Sequence, residues 1–163
     1  MGRQMRAAGI ALGALVFTAS LAGCGAPPPP PPPTVITLTL AASPDVNQTV
    51  AGQGAPVALR VYQLASTSAF TGAEFFQLYS QDQATLGPDL IKRDDIIVAP
   101  GATASITLTP LDTVKAIGVF AAYRDYGAVV WRVSMPVAPH KTTTATVTAG
   151  HVGLALPPPP AGP

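Results

Sequence analysis

An all-β sandwich carrying one short helical insertion is the fold this 163-residue sequence predicts. Three observations lead there. Apolar and polar residues alternate over short runs, turn dipeptides such as Pro100-Gly101 punctuate them, and strands nowhere alternate regularly with helices. A parallel sheet is therefore disfavoured, and two packed sheets are the natural way to bury two apolar faces. The composition agrees, because with 48% hydrophobic and 10% charged residues the chain is not held open by its own charge. No internal repeat is visible.

The elements follow in order. Val35 to Leu40 alternates aliphatics with threonine, so Ile36, Leu38 and Leu40 share one face and Thr37 and Thr39 the other. Val57 to Leu64 alternates again, with Val57, Leu59 and Val61 inward and Arg60 outward. The period then lengthens: Ser66 or Ser68 is placed to cap a helix in which Phe70, Ala73, Phe76 and Leu78 or Tyr79 recur every three to four residues. A second short turn through Ala84 to Leu86 stops at Gly87-Pro88. Ile96-Ile97-Val98 and Ala104 to Leu108, separated by Pro100-Gly101, read as a hairpin. In Val114 to Tyr123, Ile117, Val119 and Ala121 on one parity and Val114, Ala116, Phe120 and Ala122 on the other are all apolar or small, which predicts a central strand covered on both sides. Val129 to Val133 is its expected partner across a turn at Asp125 to Gly127, and Thr142 to Thr148 with Val152 to Leu156, broken by Gly150, make a last hairpin. The count is eight strands, with the helical insertion between the second and third.

The ends of the chain are organised differently. Residues 1–23 read as a removable leader: Arg3 and Arg6 give a positive start and Ala7–Ser20 is an apolar and small-residue stretch of 14. That is short of the about 20 residues a spanning helix needs. Leu21-Ala22-Gly23-Cys24 resembles the bacterial lipobox, which implies that Cys24 is acylated and becomes the first mature residue. A lone cysteine in an exported chain has no internal disulfide partner. One acyl chain holds a protein only marginally and two hold it stably, so a three-chain lipoprotein terminus is a lasting tether. Gly25 is not the aspartate associated with inner-membrane retention in such lipoproteins, and the resemblance then points to the periplasmic face of the outer membrane. Residues 24–33 are the cysteine and a spacer in which Pro27 to Pro33 is an unbroken run of seven prolines. As a polyproline helix the run reaches roughly 20 Å. The folded domain is expected over residues 34–156, one domain of ordinary size. Residues 157–163 repeat the proline theme and are expected to be a disordered tail.

Chemistry is sparse. Without Arg3 and Arg6, seven Lys/Arg face eight Asp/Glu, so no basic footprint for nucleic acid remains. His140 and His151 stand apart from any cluster at metal-ligand spacing and read as turn or strand-end residues. Asp94-Asp95 is flanked by Lys92 and Arg93, a compensated surface segment more than an acid–base pair, and Arg124-Asp125 reads as a turn-stabilising pair. No phosphate-binding glycine loop is present and no nucleophile has a base, so neither an enzyme, a cofactor nor a small-molecule substrate is expected beyond the lipid on Cys24. Recognition is the alternative to catalysis. The 11-residue loop Pro44, Asp45, Val46, Asn47, Gln48, Thr49, Val50, Ala51, Gly52, Gln53 and Gly54 is the candidate surface, with Val46 and Val50 as exposed apolar anchors. Its composition fits a binding loop and a mobile connection equally well.

Several ordered pieces together resemble the outer-membrane lipoprotein family of the type VI secretion system, TssJ. They are the lipobox at Leu21–Cys24, Val57-Ala58-Leu59-Arg60-Val61-Tyr62-Gln63-Leu64, Ala69-Phe70 through Ala73-Glu74-Phe75-Phe76-Gln77-Leu78-Tyr79, Leu86-Gly87-Pro88-Asp89-Leu90, Pro100-Gly101, Ile117 through Asp125, and Trp131-Arg132. The resemblance implies a transthyretin-like sandwich of two four-stranded sheets with a helical insertion, and a protein that is not an enzyme. It also implies anchorage to outer-membrane lipid and docking of the periplasmic C-terminal domain of the inner-membrane subunit TssM, with Pro44–Gly54 taking part. Among those residues, polarity and position single out Asp45, Asn47, Gln48 and Val50. A periplasmic ligand-binding or inhibitor lipoprotein on the same scaffold is the alternative, and it would carry a concave apolar pocket instead of a protruding polar loop.

Overall fold

A computed structural model describes residues 28–157, and from Pro31 onward they belong to one compact unit. The strands are β1 (Val35–Ala42), β2 (Val57–Leu64), β3 (Leu90–Val98), β4 (Thr103–Leu108), β5 (Ala116–Ala121), β6 (Arg132–Pro136), β7 (Thr142–Gly150) and β8 (Gly153–Ala155). Helices α1 (Ser68–Gly72) and α2 (Phe75–Leu86) and a 3-10 turn (Gly87–Asp89) lie between β2 and β3. One sheet has the order β4-β1-β7-β8 and the other β3-β2-β5-β6. The eight strands and the place of the insertion match the sequence reading. The first sheet is nonetheless mixed, since β1 pairs parallel with β7 (Leu38 opposite Ala145) and antiparallel with β4 (Leu38 opposite Ile106).

The alternation seen in the sequence sets the faces. Ile36, Leu38 and Leu40 point between the sheets and meet Val57, Leu59, Val61, Ile117 and Val119 in one aliphatic core. The other parity of β2 and β5 is buried too, under the helices, where Tyr62, Leu64 and Phe120 pack against Phe70, Phe75, Leu78 and Leu86. Gly118 makes that contact possible, because a Cβ there would lie 3.0 Å from the Phe70 ring and 3.1 Å from Leu64. Within this second core sits a carboxylate. Asp82 Oδ2 accepts from the Tyr62 hydroxyl at 3.0 Å and from Arg93 Nη1 at 2.8 Å, while Arg60 Nη1 donates to the Leu78 carbonyl at 2.7 Å and to the Tyr79 carbonyl at 2.9 Å. Burial pushes the Asp82 carboxyl up, yet the bonds from Arg93 and Tyr62 and the two guanidinium charges outweigh it and hold its pKa below the ordinary value.

Four expectations need correction. The Pro100-Gly101 turn does not close a hairpin: β3 pairs with β2 (Val57 opposite Val98), whereas β4 pairs with β1 in the other sheet. The turn is tied to β1, with Gly101 N donating to Ser43 O and Ala42 N to Ala102 O. Crossing over gives the open edge of β1 a partner for its backbone groups. The single helix is two. Ala73 is extended (φ −70°, ψ 147°), Arg132 Nη1 donates to the carbonyls of Phe70 and Ala73 at the break, and a Glu74/Gln77 capping box starts α2 afresh. The restart turns Phe75 inward and leaves Phe76 56% exposed. Neither serine is the helix cap; Thr67 holds that position and Ser66 Oγ accepts from Ser68 N. The partner of β5 begins at Arg132, not Val129, because Val130 bridges to Gly153 in the other sheet, with Leu154 N donating to Val130 O. The charged segment 92–95 extends β3, where its side chains line a sheet edge and guard it against strand addition.

Candidate docking surface

The chain enters the sandwich at Thr34, the end where β1 and β7 begin; the opposite end is where β1 finishes and β2 starts. Loop Pro44–Gly54 lies at that far end, eight β1 residues beyond Thr34, about 26 Å at 3.3 Å per residue.

Its neck is tightly built. Ser43 N donates to Ala149 O and Ser43 O accepts from Val46 N, while Ala55 N donates to Val46 O. The Pro44 carbonyl approaches Gly54 so closely that a Cβ there would sit 2.1 Å from the oxygen, which leaves glycine as the residue that fits. Asn47 adopts a left-handed φ of 48°, and both ends of its amide are occupied: Nδ2 donates to Pro56 O and Oδ1 accepts from Arg124 N, each at 2.9 Å. Asp45 accepts from Ser43 Oγ and pairs with His151 Nδ1 at 2.9 Å. That Ser43 hydrogen bond is the main reason its carboxyl stays below the usual range, with the nearby His151 a lesser one.

The tip is different. Thr49 N donates to Gln53 O, Gly52 N to Thr49 O and Gln53 N to Thr49 Oγ1 across a turn that needs Gly52 at φ 74°. Gln48, Ala51, Gly52 and Gln53 are exposed, Thr49 partly so, and Val50 projects fully into solvent. The expectation for Val46 is therefore wrong: it is completely buried in the aliphatic core and anchors the loop from inside. Asn47, singled out for its polarity, is likewise buried and spends its amide on the loop's own geometry.

Beside the tip, Gln48, Thr49 and Val50 face Arg124, Asp125 and Val129 across a concave surface of about 660 Å³, floored by Tyr123. Tyr123 is buried, its hydroxyl has no hydrogen-bond partner among the described residues, and burial raises its pKa. Sequence reading missed Tyr123, since a tyrosine at the end of an apolar strand looks like core.

The other candidates fall elsewhere. Asp94 pairs with Lys92 at 3.2 Å, and Asp95 with Arg93 at 3.0 Å and Arg60 at 3.3 Å, the compensation the sequence suggests. His140 lies at the near end, its backbone N bonded to Thr34 Oγ1. Among the described residues no His, Cys, Asp or Glu cluster suits a metal, and no helix is long and apolar enough to cross a membrane. Cys24 lies outside the described residues.

A family model described as type VI secretion lipoprotein, VasD, EvfM, TssJ matches residues 34–151. The type VI secretion lipoprotein TssJ1 from Pseudomonas aeruginosa is similar at 36% identity and a TM-score of 0.72, over 79% of this chain and 100% of that one. Serratia marcescens Lip, a membrane-bound component of the type VI secretion system, is 27% identical with a TM-score of 0.73, over 79% of this chain and 99% of its own. A chain of a structure described as a type VI membrane complex gives 25% identity and a TM-score of 0.68, over 77% and 98%. No curated protein matches.

Proposed function

The chain belongs to the type VI secretion lipoprotein family that includes TssJ, non-enzymatic components of the secretion apparatus, and from that premise we propose that it is an outer-membrane anchor for the periplasmic C-terminal domain of the inner-membrane subunit TssM. In this reading Cys24 carries the lipid, Pro27–Pro33 holds the domain off the bilayer, and the tip of loop Pro44–Gly54 grips the partner. The observation that carries it is the loop's position: a rigid neck presents Gln48–Gln53 at the end of the sandwich opposite Thr34, the end from which the tether departs. A partner reaching across the periplasm meets that end first. Likeness to a chain of a type VI membrane complex supports the same reading.

Tethering confines the domain to a thin layer, which raises its effective concentration for a partner entering that layer, so modest intrinsic affinity suffices. The anchor is tested by Cys24→Ala and membrane fractionation: the protein should leave the outer-membrane fraction, and continued residence there contradicts the role of Cys24. The grip is tested by Val50→Asp and co-purification with the TssM periplasmic domain. Capture should be lost while the thermal transition is unchanged; intact capture contradicts the role of the loop.

A further inference from the structure

Exposed apolar side chains are not scattered evenly over this domain. Of the nine large apolar side chains at least 39% exposed among the described residues, Ile91, Ile97 and Leu111 lie elsewhere, while Val50, Tyr126, Phe76, Tyr79, Val130 and Val152 belong to the loop, to the segments after β5 and β7 and to α2. The loop is joined to the turn after β5 by the Arg124 N to Asn47 Oδ1 hydrogen bond and by the groove they share. Two residues along that turn, Tyr126 stacks on Phe75 at 4.3 Å and meets Phe76 edge-on at 5.1 Å. Tyr79 continues the row, stacked on Phe75 at 5.8 Å. On the other flank Val130 N donates to Val152 O, next to the His151 that pairs with Asp45 at the loop's neck.

The rings are held, not loose. Phe75 beneath them is buried and lies against Phe120 and Trp131 at 5.2 and 5.3 Å. Little side-chain freedom remains to be lost on binding, which favours such a surface as a contact. The cations at its border are already engaged: Arg60 by the carbonyls of Leu78 and Tyr79, and Arg132 by those of Phe70 and Ala73 and by the Trp131 face at 4.4 Å. What is left for a partner is ring surface rimmed by the exposed Glu74, Arg124 and Asp125. Interfaces built around aromatic anchors with a polar rim have this arrangement, and contiguous exposed apolar surface marks contact sites.

We infer that the docking surface extends from the loop tip over the Tyr126 turn onto an aromatic ledge of Phe76, Tyr79 and Tyr126, and that this ledge takes an uncharged, aliphatic or proline-rich segment of the same periplasmic partner. The inference rests on the proposed docking role of the loop and deepens it. Its test is calorimetric titration of the detergent-solubilised full chain with the TssM periplasmic domain, comparing wild type with Val50→Asp, Phe76→Glu and the milder pair Phe76→Ser and Tyr79→Ser. The ledge variants should weaken binding tenfold or more, at an unchanged melting temperature for the serine variants, and Val50→Asp should weaken it as well. If Val50→Asp alone weakens binding, the ledge is not part of the interface and the docking role of the loop stands. If neither weakens it, both readings fall. If the ledge variants leave partner affinity intact but abolish flotation with phosphatidylethanolamine and phosphatidylglycerol vesicles, or shift a self-association equilibrium, the ledge faces lipid or a second copy and the inference is overturned.

Discussion

The two cores of this domain are built on opposite plans. Between the sheets, Ile36, Leu38, Leu40, Leu59, Val61 and Val119 make a dry aliphatic layer. Under the helices, Tyr62, Phe70, Phe75 and Phe120 surround a side of the sheet that also holds Asp82 with Arg60 and Arg93. The first core is sealed by two sheets. The second is roofed by α1 and α2, and the outward side of α2 leaves Phe76 and Tyr79 in water beside Tyr126 of the turn after β5. The first core is closed on both sides, while the roof of the second carries exposed rings.

The sharpest way to break that comparison is in the aliphatic layer. Leu38→Ala is expected to cost about 4 kcal/mol in urea unfolding, at an unchanged slope, because the sealed site has little room to collapse. Asp82→Ala should cost less, about 2 to 3 kcal/mol, since it removes the buried acceptor shared by Tyr62, Arg60 and Arg93, while both cations keep Asp95 and partial solvation at 22% and 35% side-chain exposure. Acid sharpens this prediction. Because the folded pKa of Asp82 is depressed, its contribution is complete above the unfolded value of about 4 and is lost as pH falls through the lower folded value. Urea midpoints followed from pH 6 to pH 2 should therefore fall less steeply for Asp82→Asn than for wild type. Gly118→Ala tests the fit of the second core, since the new Cβ meets the Phe70 ring at 3.0 Å; about 1 to 2 kcal/mol of overpacking is expected. Val50→Asp should be the smallest, within about 0.5 kcal/mol in the same assay, because the side chain is fully exposed.

The same contrast explains what sequence reading can reach. Period-two alternation in Ile36-Thr37-Leu38-Thr39-Leu40 and the doubly apolar Ile117 to Ala121 identify the aliphatic layer and the central strand, because each position's face follows from its parity. The hairpin assigned across Pro100-Gly101 fails because turn chemistry marks a reversal without saying which sheet receives the next strand. Phe76 is assigned to the buried face because the helix break at Ala73 depends on Arg132, 59 residues away in the chain. Loop Pro44–Gly54 is legible as a long polar connection between strands. Its division into a buried neck at Val46 and Asn47 and an exposed tip at Val50 is not, since that rests on contacts with Pro56 and Arg124. The Tyr126 ledge is invisible for the same reason: its rings come from separate stretches of chain.

The central claim is that the far-end loop tip grips the periplasmic domain of TssM, and the most direct measurement is site-specific photocrosslinking in the cell envelope from position 50. A crosslinker at Val50 should trap TssM, while one at Leu111, also exposed but in the β4–β5 connection at the near end, should not. Trapping from position 111 and none from position 50 would contradict the account.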